Sequence, residues 1–290
     1  MEFFGKIVIS GLINGSIYGL VALGFVLIYK ASSVLNFSQG YLLLLGSYLF
    51  WLLDGALKLG LFLSLLISLP LGFLMGILIE RLTLRPLIGQ PLVSIITVTI
   101  FLSLVIEGLV SLVWGTYPLQ QIPVVFKGSL RIATIALTTQ ALFAFGLALG
   151  AALALILLFR FTRLGLAMRG VAESHQVMQS MGISVKRILN ICWGIAGIAA
   201  TLGGILLGST LGFQLGLSYI GLLAIPAAFI GGLDSPEGAI LGGLLIGLIE
   251  SIASGYFGKA AGVPTSYVIL IIVMLFRPYG FFGLRGIERI

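Results

Sequence analysis

The chain has 290 residues, of which 59% are hydrophobic and only 9% are charged. Soluble domains carry about 25% charged residues, so this composition excludes an ordinary soluble protein and indicates a polytopic membrane protein. The formal net charge of +7 is spread over short loops, which is typical of the positive-inside bias of membrane proteins and does not indicate a nucleic-acid partner. A single cysteine and a single histidine exclude a disulfide framework and predict no metal site.

Apolar runs of about 20 residues, long enough to cross a hydrocarbon core of about 30 Å, recur along the chain. They predict an all-α polytopic membrane protein with one transmembrane domain over residues 1–290. The predicted spans are 7–29, 34–56, 60–80, 91–114, 133–159, 186–211, 218–233, 237–256 and 264–282. The seventh run is short and can pair with the eighth as a broken or re-entrant unit, so eight and nine spans both stay open. Residues 115–132 form a long loop, where Pro118 and Pro123 disfavour regular helix.

Lysine and arginine in the short loops predict the orientation. One side would hold eleven of them, namely Lys30, Arg81, Arg85, Arg160, Arg163, Arg169, Lys186, Arg187, Arg277, Arg285 and Arg289. The other side would hold five, namely Lys6, Lys58, Lys127, Arg131 and Lys259. The richer side faces the cytoplasm. With nine spans the N-terminus is then external and the C-terminus cytoplasmic.

Glycines recur at intervals of four residues in several of the spans. The repeats are Gly11, Gly15 and Gly19, then Gly204, Gly208, Gly212 and Gly216, and the pairs Gly238 with Gly242 and Gly243 with Gly247. Small residues at this spacing let helix backbones approach closely. They predict helix packing within the chain, and a subunit interface is the alternative.

Two polar, glycine-ended segments interrupt the apolar pattern and are each followed by a clean apolar helix. They run from Asn36 to Gly40 and from Gly231 to Gly238. Asn36 or Ser38, and Asp234 or Ser235, are candidate N-caps, and Pro236 suits an early helical position. Broken segments at corresponding places in two halves are typical of transporters, so a repeated architecture is a hypothesis for this chain.

Polar side chains inside the predicted spans are candidates for lining a translocation path. The candidates are Asn14, Ser16, Tyr18, Asn36, Ser38, Gln39, Glu107 and Glu250. Buried carboxylates are costly in a membrane, so Glu107 and Glu250 count as functional candidates by default. The alternatives are that the acids pair locally with Ser103 or Ser254 and that the neutral groups only bond between helices.

The segment from Leu164 to Leu189 is the most polar stretch between two spans. Its apolar residues from Met168 to Met181 fall mostly three or four positions apart, which predicts a short amphipathic helix, and Gly182 is placed to end it. Such a helix can lie in the membrane interface or dock on a partner. Exposed methionines, which adapt to a partner's groove, favour docking. The chain has no phosphate-binding Gly-x-x-x-x-Gly-Lys-[Ser/Thr] motif, so any ATP hydrolysis belongs to another polypeptide.

Several of these segments together resemble one family, the smaller permease subunits of high-affinity branched-chain amino acid ABC importers. The matching segments are 14–24, 36–40, 168–173, 181–183 and 231–239. The resemblance covers nearly the whole chain. It implies a bacterial inner-membrane transport subunit that is not an enzyme, and as partners a second permease, two cytoplasmic ATPases that bind ATP and Mg²⁺, and an external solute-binding protein.

The resemblance also implies that the loop at about 160–187 couples this chain, which itself binds no cofactor, to the ATPases. The coupling residues would be Met168, Arg169, Ala172, Glu173, Ser174, His175, Met178, Met181 and Gly182. Family members usually carry an acidic, proline-containing stretch after Glu173, where this chain has Ser174-His175-Gln176-Val177. Related permeases move urea or short amides, so these solutes stay open. An autonomous secondary carrier using Glu107 or Glu250 and a purely structural scaffold are the remaining alternatives.

Overall fold

The computed structural model of the chain describes residues 2–87, 90–124, 128–132 and 135–283. Lys127, Arg285 and Arg289, which entered the charge count, lie outside the described residues. The helices are α1 (Glu2–Ser32), α2 (Gln39–Trp51), α3 (Leu61–Ile79), α4 (Leu92–Trp114), α5 (Thr139–Phe161), α6 (Arg163–Glu173), α7 (His175–Ser180), α8 (Val185–Leu211), α9 (Leu217–Gly221), α10 (Ala224–Gly231), α11 (Pro236–Phe257) and α12 (Gly262–Phe276). Short π and 3₁₀ turns extend α2 through Leu52–Ala56, α3 through Glu80–Leu84 and Arg85–Leu87, and precede α12 at Lys259–Ala261.

Seven helical segments in the described part of the chain are long and apolar enough to cross a membrane. They contain α1, α3, α4, α5, α8, α11 and α12. This confirms an all-α polytopic membrane protein, whereas the count of eight or nine spans is not confirmed. The predicted span 34–56 is built around the 13-residue α2, and the predicted span 218–233 is divided between α9 and α10. The broken character expected of the seventh run is therefore observed.

The fifth predicted span begins later than expected. Residues from 133 onward were predicted as helix, but β1 (Ser129–Ile132) and β2 (Ile135–Thr138) form an antiparallel hairpin, and α5 begins only at Thr139. The hydroxyl of Thr138 caps α5 by accepting a hydrogen bond from the N–H of Ala141 (3.4 Å). β-branched residues in this stretch favour strand, and a hydroxyl at the N-cap places the helix start after them.

Helices α1 and α8 form the centre of the bundle, and α1 lies antiparallel against α11. In each of the two central helices 89% of the residues in the most apolar 18-residue stretch are buried, compared with 22% in the spans that contain α3, α4 and α5. The glycine repeats explain the close approach of α1 to α11. A Cβ added to Gly15 would lie 2.7 Å from the carbonyl oxygen of Gly243, and one added to Gly19 would lie 3.0 Å from the Cα of Ile240. The repeats on α1 and α11 therefore pack within the chain and do not form a subunit interface. In the predicted repeat from Gly204 to Gly216, Gly212 and Gly216 lie beyond the end of α8 and make no such contact.

The start of α2 lies half-way along α8 and next to α9. The side-chain amide of Gln39 donates to the carbonyl oxygen of Ala196, which lies near the middle of α8 (3.0 Å). A Cβ added to Gly40 would lie 2.7 Å from the carbonyl oxygen of Ser218, at the start of α9. Two broken elements thus meet in the middle of the bundle, where only glycine allows their backbones to touch.

The second broken segment is capped as the sequence predicts. The hydroxyl of Ser235 accepts a hydrogen bond from the N–H of Gly238 (3.0 Å), and Pro236 occupies the first turn of α11. The C-terminal segment then returns to this turn, because the N–H groups of Phe281 and Phe282 donate to the carbonyl oxygens of Ile230 and Gly231 (2.9 and 3.1 Å). These donors satisfy carbonyls at the end of α10 that have no partner in their own helix.

The two ends of the bundle differ in charge. The basic end contains the last turn of α1, α6, α7, the first turn of α8 and the 232–235 turn. The hairpin end contains the first turn of α1, the β-hairpin and the last turn of α8. Helix and strand positions place nine described basic residues at the basic end, namely Lys30, Arg81, Arg85, Arg160, Arg163, Arg169, Lys186, Arg187 and Arg277, and four at the hairpin end, namely Lys6, Lys58, Arg131 and Lys259.

Candidate functional site

Two short helices form the protruding part of the basic end, where the sequence predicts one helix from Met168 to Met181. The prediction of a single helix is wrong. The backbone is extended at Ser174 (φ −160°, ψ 114°), and its hydroxyl caps α7 by accepting a hydrogen bond from the N–H of Val177 (3.3 Å). Serine competes for backbone N–H groups, so it starts a new helix here and interrupts the periodic pattern.

The end of α7 at Gly182 is confirmed. Gly182 has a φ of 79°, which side chains other than that of glycine rarely adopt. The N–H of Gly182 donates to Gln179 and the N–H of Ile183 donates to Met178, both at 3.0 Å. This pair of bonds is the Schellman arrangement, and it turns the chain sharply into α8.

The nine predicted coupling residues divide into an inner and an outer group. Met168 and Met178 are 1% and 8% exposed, and a Cβ added to Gly170 would overlap the Met178 sulfur, so these two methionines join α6 to α7 and are not available to a partner. Met181 is 70% exposed. The exposed group also contains Glu173, His175 and Gly182, and Arg169, Ala172 and Ser174 are half-buried.

Two members of the exposed group, Glu173 and Met181, border an open cavity of about 450 Å³ between α6 and the turn after α7. Its wall is mainly apolar, from Leu166, Met181 and Ile183, and its rim carries Arg169 and Glu173. We call this cavity with its rim the α6–α7 surface. An apolar depression with charges of both signs at its edge has the composition of a protein-docking site.

A chain of contacts connects α6 to the 232–235 turn. Arg169 donates to the carbonyl oxygen of Phe159 (2.9 Å), and its guanidinium lies 5.6 Å from the centre of the Phe159 ring. Lys30 contacts the same ring (5.3 Å) and donates to the carbonyl oxygen of Asp234 (2.9 Å). Cations at these distances are attracted to an aromatic ring. These contacts join α6 to the ends of α5 and α1 and to the turn before α11.

His175 gives α7 a contact of its own with the end of α1. The Nε2 atom of its ring lies 3.4 Å from the carbonyl oxygen of Ala31. One residue of the 174–177 stretch thus contacts the last turn of α1.

Three of the predicted path residues form a closed hydrogen-bond network at the start of α2. Asn36, Ser38 and Gln39 are fully buried. The side-chain oxygen Oδ1 of Asn36 accepts from the N–H and the hydroxyl of Ser38 (3.1 and 2.6 Å), and the side-chain amide of Asn36 donates to the side-chain oxygen Oε1 of Gln39 (3.4 Å). Because these groups bond to one another and to α8, the network favours the interpretation that they join helices.

Replacing Gln39 with methionine is expected to destabilise the chain by about 1–3 kcal/mol, because buried hydrogen-bond partners would be left unsatisfied. Thermal unfolding of the purified complex in detergent measures the effect as a lowered midpoint. Gln176→Met, at an exposed position of α7, is the matched control and should leave the midpoint unchanged. Equal midpoints for the two variants would contradict the structural role of Gln39.

The remaining buried path candidates are held by neighbours within the bundle. The hydroxyl of Ser16 donates to the carbonyl oxygen of Ile13 in its own helix (2.7 Å). Tyr18 on α1 donates to a carboxylate oxygen of Glu250 on α11 (3.3 Å), across the contact between the glycine repeats of these two helices, which we call the glycine seam. Glu250 therefore has a partner on another helix. The partner that the sequence offered as an alternative was Ser254, which lies on the same helix as Glu250.

Glu107 and Asn14 are half-buried and lie apart from these contacts. The hydroxyl of Ser103, a predicted partner of Glu107, donates instead to the carbonyl oxygen of Ile100 (2.5 Å). Asn14 lines a cavity at the hairpin end together with Lys6 and Ser10. The path candidates are thus spread over the centre and the hairpin half of the bundle and do not form one site.

One buried ion pair was missed in the sequence. Glu80 is fully buried and lies 3.1 Å from the guanidinium of Arg85, which also donates to the side-chain oxygen of Asn190 (3.0 Å). The pair connects the end of α3 to α8 at the basic end. The available signal was a glutamate five residues before an arginine, a spacing that becomes meaningful only because the helix widens into a π turn there.

The sequence is similar to those of known transport proteins over nearly its whole length. The family model described as the permease component of branched-chain amino acid transport systems matches residues 7–277. The high-affinity branched-chain amino acid transport system permease protein LivH of Escherichia coli K12 is 28% identical over 305 residues, covering 99% of this chain and 98% of LivH. The corresponding protein BraD of Pseudomonas aeruginosa is 29% identical over 302 residues, covering 97% and 96%.

These relatives are permease subunits of transport systems and not enzymes. The bundle of long apolar helices agrees with that role, since it makes the chain a multi-pass membrane protein. Because the family model matches nearly the whole chain, the chain belongs to the family of permease components of branched-chain amino acid transport systems.

Proposed function

We propose that this chain is one of two related permease subunits of an ATP-driven importer that moves branched-chain amino acids across a bacterial plasma membrane. The family match over residues 7–277 carries the proposal. The other partners are two ATPases, which bind ATP and Mg²⁺, and an external solute-binding protein. This chain supplies half of the pathway and the surface on which ATP hydrolysis acts.

The proposed orientation places the basic end in the cytoplasm. Nine of the thirteen described basic residues lie at that end, as the positive-inside rule requires. The N-terminus is then external and the C-terminal segment cytoplasmic. The α6–α7 surface faces the cytoplasmic ATPases, and the hairpin end faces the solute-binding protein.

Coupling follows from the contacts at the basic end. An ATPase that holds the α6–α7 surface pulls on Arg169, and Arg169 contacts Phe159 at the end of α5. Lys30 carries the displacement from Phe159 to the 232–235 turn, where the broken α10 meets α11. A broken helix has fewer internal hydrogen bonds to resist movement at its break, so this turn is where access to the pathway changes.

The experiment is uptake of L-leucine and ATP hydrolysis by the complete complex in vesicles. Replacing Glu173 with alanine and Met181 with serine together should lower uptake at least about tenfold, since truncating the few residues at the centre of an interface costs about 2 kcal/mol or more. The amount of chain in the membrane should stay unchanged because both side chains are exposed.

The control is Leu104→Ala with Leu112→Ala, an exposed pair on the membrane-spanning α4 and away from the α6–α7 surface. Normal uptake by the Glu173/Met181 variant would contradict the docking role of the α6–α7 surface. Uptake of urea or acetamide in place of L-leucine would assign the chain to the amide-transporting relatives. Gradient-driven flux without ATPases would contradict an importer and support a secondary carrier.

A further inference from the structure

The hairpin end contains an open cavity of about 360 Å³ that none of the contacts above uses. It lies between the first half of α1, the end of β2 with the start of α5, and the last turn of α8. Its volume falls in the range of about 300–1,000 Å³ that small-molecule sites occupy. We call it the hairpin-end cavity.

A polar stripe on α1 lines one wall of this cavity. Lys6, Ser10 and Asn14 follow one another at intervals of four residues, so they lie on one face of the helix. Asn14 lies about 18 Å along the helix axis from Glu2, well inside the bundle. None of the three side chains hydrogen-bonds to another residue in the part of the chain that the structure describes, and Lys6 makes no ion pair there, not even with Glu2 one turn earlier.

The opposite wall is mainly apolar. Leu137, Ala141 and Leu211 contribute aliphatic groups, and Ile13 adds another from α1. An unpartnered polar stripe facing hydrocarbon would be costly, so its position opposite this wall indicates a water-filled space and not lipid contact.

This arrangement complements one class of solute. A zwitterionic amino acid has a carboxylate for the Lys6 ammonium and an ammonium for the oxygens of Ser10 and Asn14. Its aliphatic side chain then fits the wall formed by Leu137 and Leu211. A carboxylate paired with lysine in a partly apolar site interacts more strongly than it does in open water.

We propose that the hairpin-end cavity is a binding site for an aliphatic amino acid on its way into the pathway, with Lys6 as the partner of its carboxylate. The proposal rests on the proposed function, because the identity of the solute comes from that function. The new part is the place where the solute binds. It assigns roles to Lys6 and Ser10, which the sequence did not single out.

Cysteine labelling in the complete complex, reconstituted with its solute-binding protein, tests the site. The single Cys192 is 1% exposed, so in this chain a membrane-impermeant maleimide should react only with an introduced cysteine. Ser10→Cys should be labelled from the hairpin side, and saturating L-leucine with the binding protein should slow labelling at least about fivefold. Lys259→Cys, exposed at the same end but outside the cavity, is the matched control and should react at the same rate with and without L-leucine.

A second measurement tests the charge of Lys6. Lys6→Met should raise the L-leucine concentration for half-maximal uptake about tenfold, and Lys259→Met should leave it unchanged. If L-leucine does not slow the labelling of Ser10→Cys in a complex that takes up L-leucine, the proposed site is wrong and the proposed function stands. Wild-type complex that takes up no L-leucine would overturn the proposed function and the solute with it. Labelling that responds to anionic lipid and not to L-leucine would also overturn the proposal, in favour of a lipid site.

Discussion

Replacing Gly15 with leucine is expected to remove most of the folded chain from the membrane. A Cβ at this position would lie 2.7 Å from the carbonyl oxygen of Gly243 and 2.8 Å from the Cα of Leu244. Both are backbone atoms, so no side chain can rotate away and the two helices must separate. Overpacking a core costs about 1–3 kcal/mol where side chains can adjust, and here the cost should exceed that range.

The substitution would disrupt the contact between α1 and α11, which is the most extensive contact between two helices in the described part of the chain. Separating α1 from α11 also breaks the hydrogen bond from Tyr18 to Glu250, which leaves a carboxylate without its partner inside the bundle. Because a fold has only about 5–15 kcal/mol of net stability, we expect at least a fivefold fall in the amount of chain in the membrane.

Quantitative immunoblotting of membranes and thermal unfolding in detergent measure this effect. Gly146→Leu is the matched control, since Gly146 is exposed on α5 and an added Cβ there meets nothing within 4 Å. Wild-type amounts and midpoint for Gly15→Leu would show that the seam has room, contrary to the structure. Equal losses for the two variants would mean that leucine is harmful for a reason unrelated to packing.

Replacing Lys30 with methionine is expected to uncouple ATP hydrolysis from uptake. Lys30 is the contact that joins Phe159 to the carbonyl oxygen of Asp234. Methionine keeps an unbranched apolar stem but has no donor and no charge. We expect uptake of L-leucine to fall at least about tenfold while ATP hydrolysis and the amount of chain in the membrane persist.

Both activities are measured in the same vesicles, so their ratio reports coupling directly. Lys30→Arg should restore most of the uptake, because arginine also donates hydrogen bonds and lies favourably over an aromatic ring. Lys186→Met, an exposed lysine at the same end, is the control and should behave as wild type. A parallel fall in uptake and hydrolysis would instead mean that Lys30 only holds the fold together.

Phe159→Leu extends the test, because Lys30 and Arg169 lie 5.3 and 5.6 Å from the centre of the same Phe159 ring. If the three residues act in series, the double variant with Lys30→Met should lose no more uptake than the worse single variant. Additive losses would show that the two changes act independently.

Four of the long helices, α3, α4, α8 and α11, were predicted to within one residue at each end. The predicted span 91–114 is observed as Leu92–Trp114, and the predicted span 186–211 is observed as Val185–Leu211. Such segments are predictable because an unbroken apolar run in a membrane has to satisfy its backbone within a helix. The capping roles of Ser235 and Gly182 were predictable for a related reason, since each depends on the residue's own hydrogen bonds or backbone angles.

The division of helices between the centre and the surface of the bundle was not predictable from hydropathy. The central α1 has a mean hydropathy of 1.9 in its most apolar window and the peripheral α4 has 2.3, although α1 is four times as buried. Lipid and protein interior are equally apolar, so hydropathy cannot distinguish them. For the same reason Asn36, Ser38 and Gln39 fitted a solute path equally well until their partners were known.

The sequence by itself determined the class of the chain, its long helices, the glycine repeats, the basic loop and the family resemblance. These properties depend on composition, on short spacings and on order along the chain. The tertiary structure decided that α1 packs on α11, that α6 reaches the 232–235 turn through Phe159 and Lys30, and that Lys6, Ser10 and Asn14 face a cavity. Each of these joins residues far apart in the chain, and the distance between such residues is set by packing and not by local propensity.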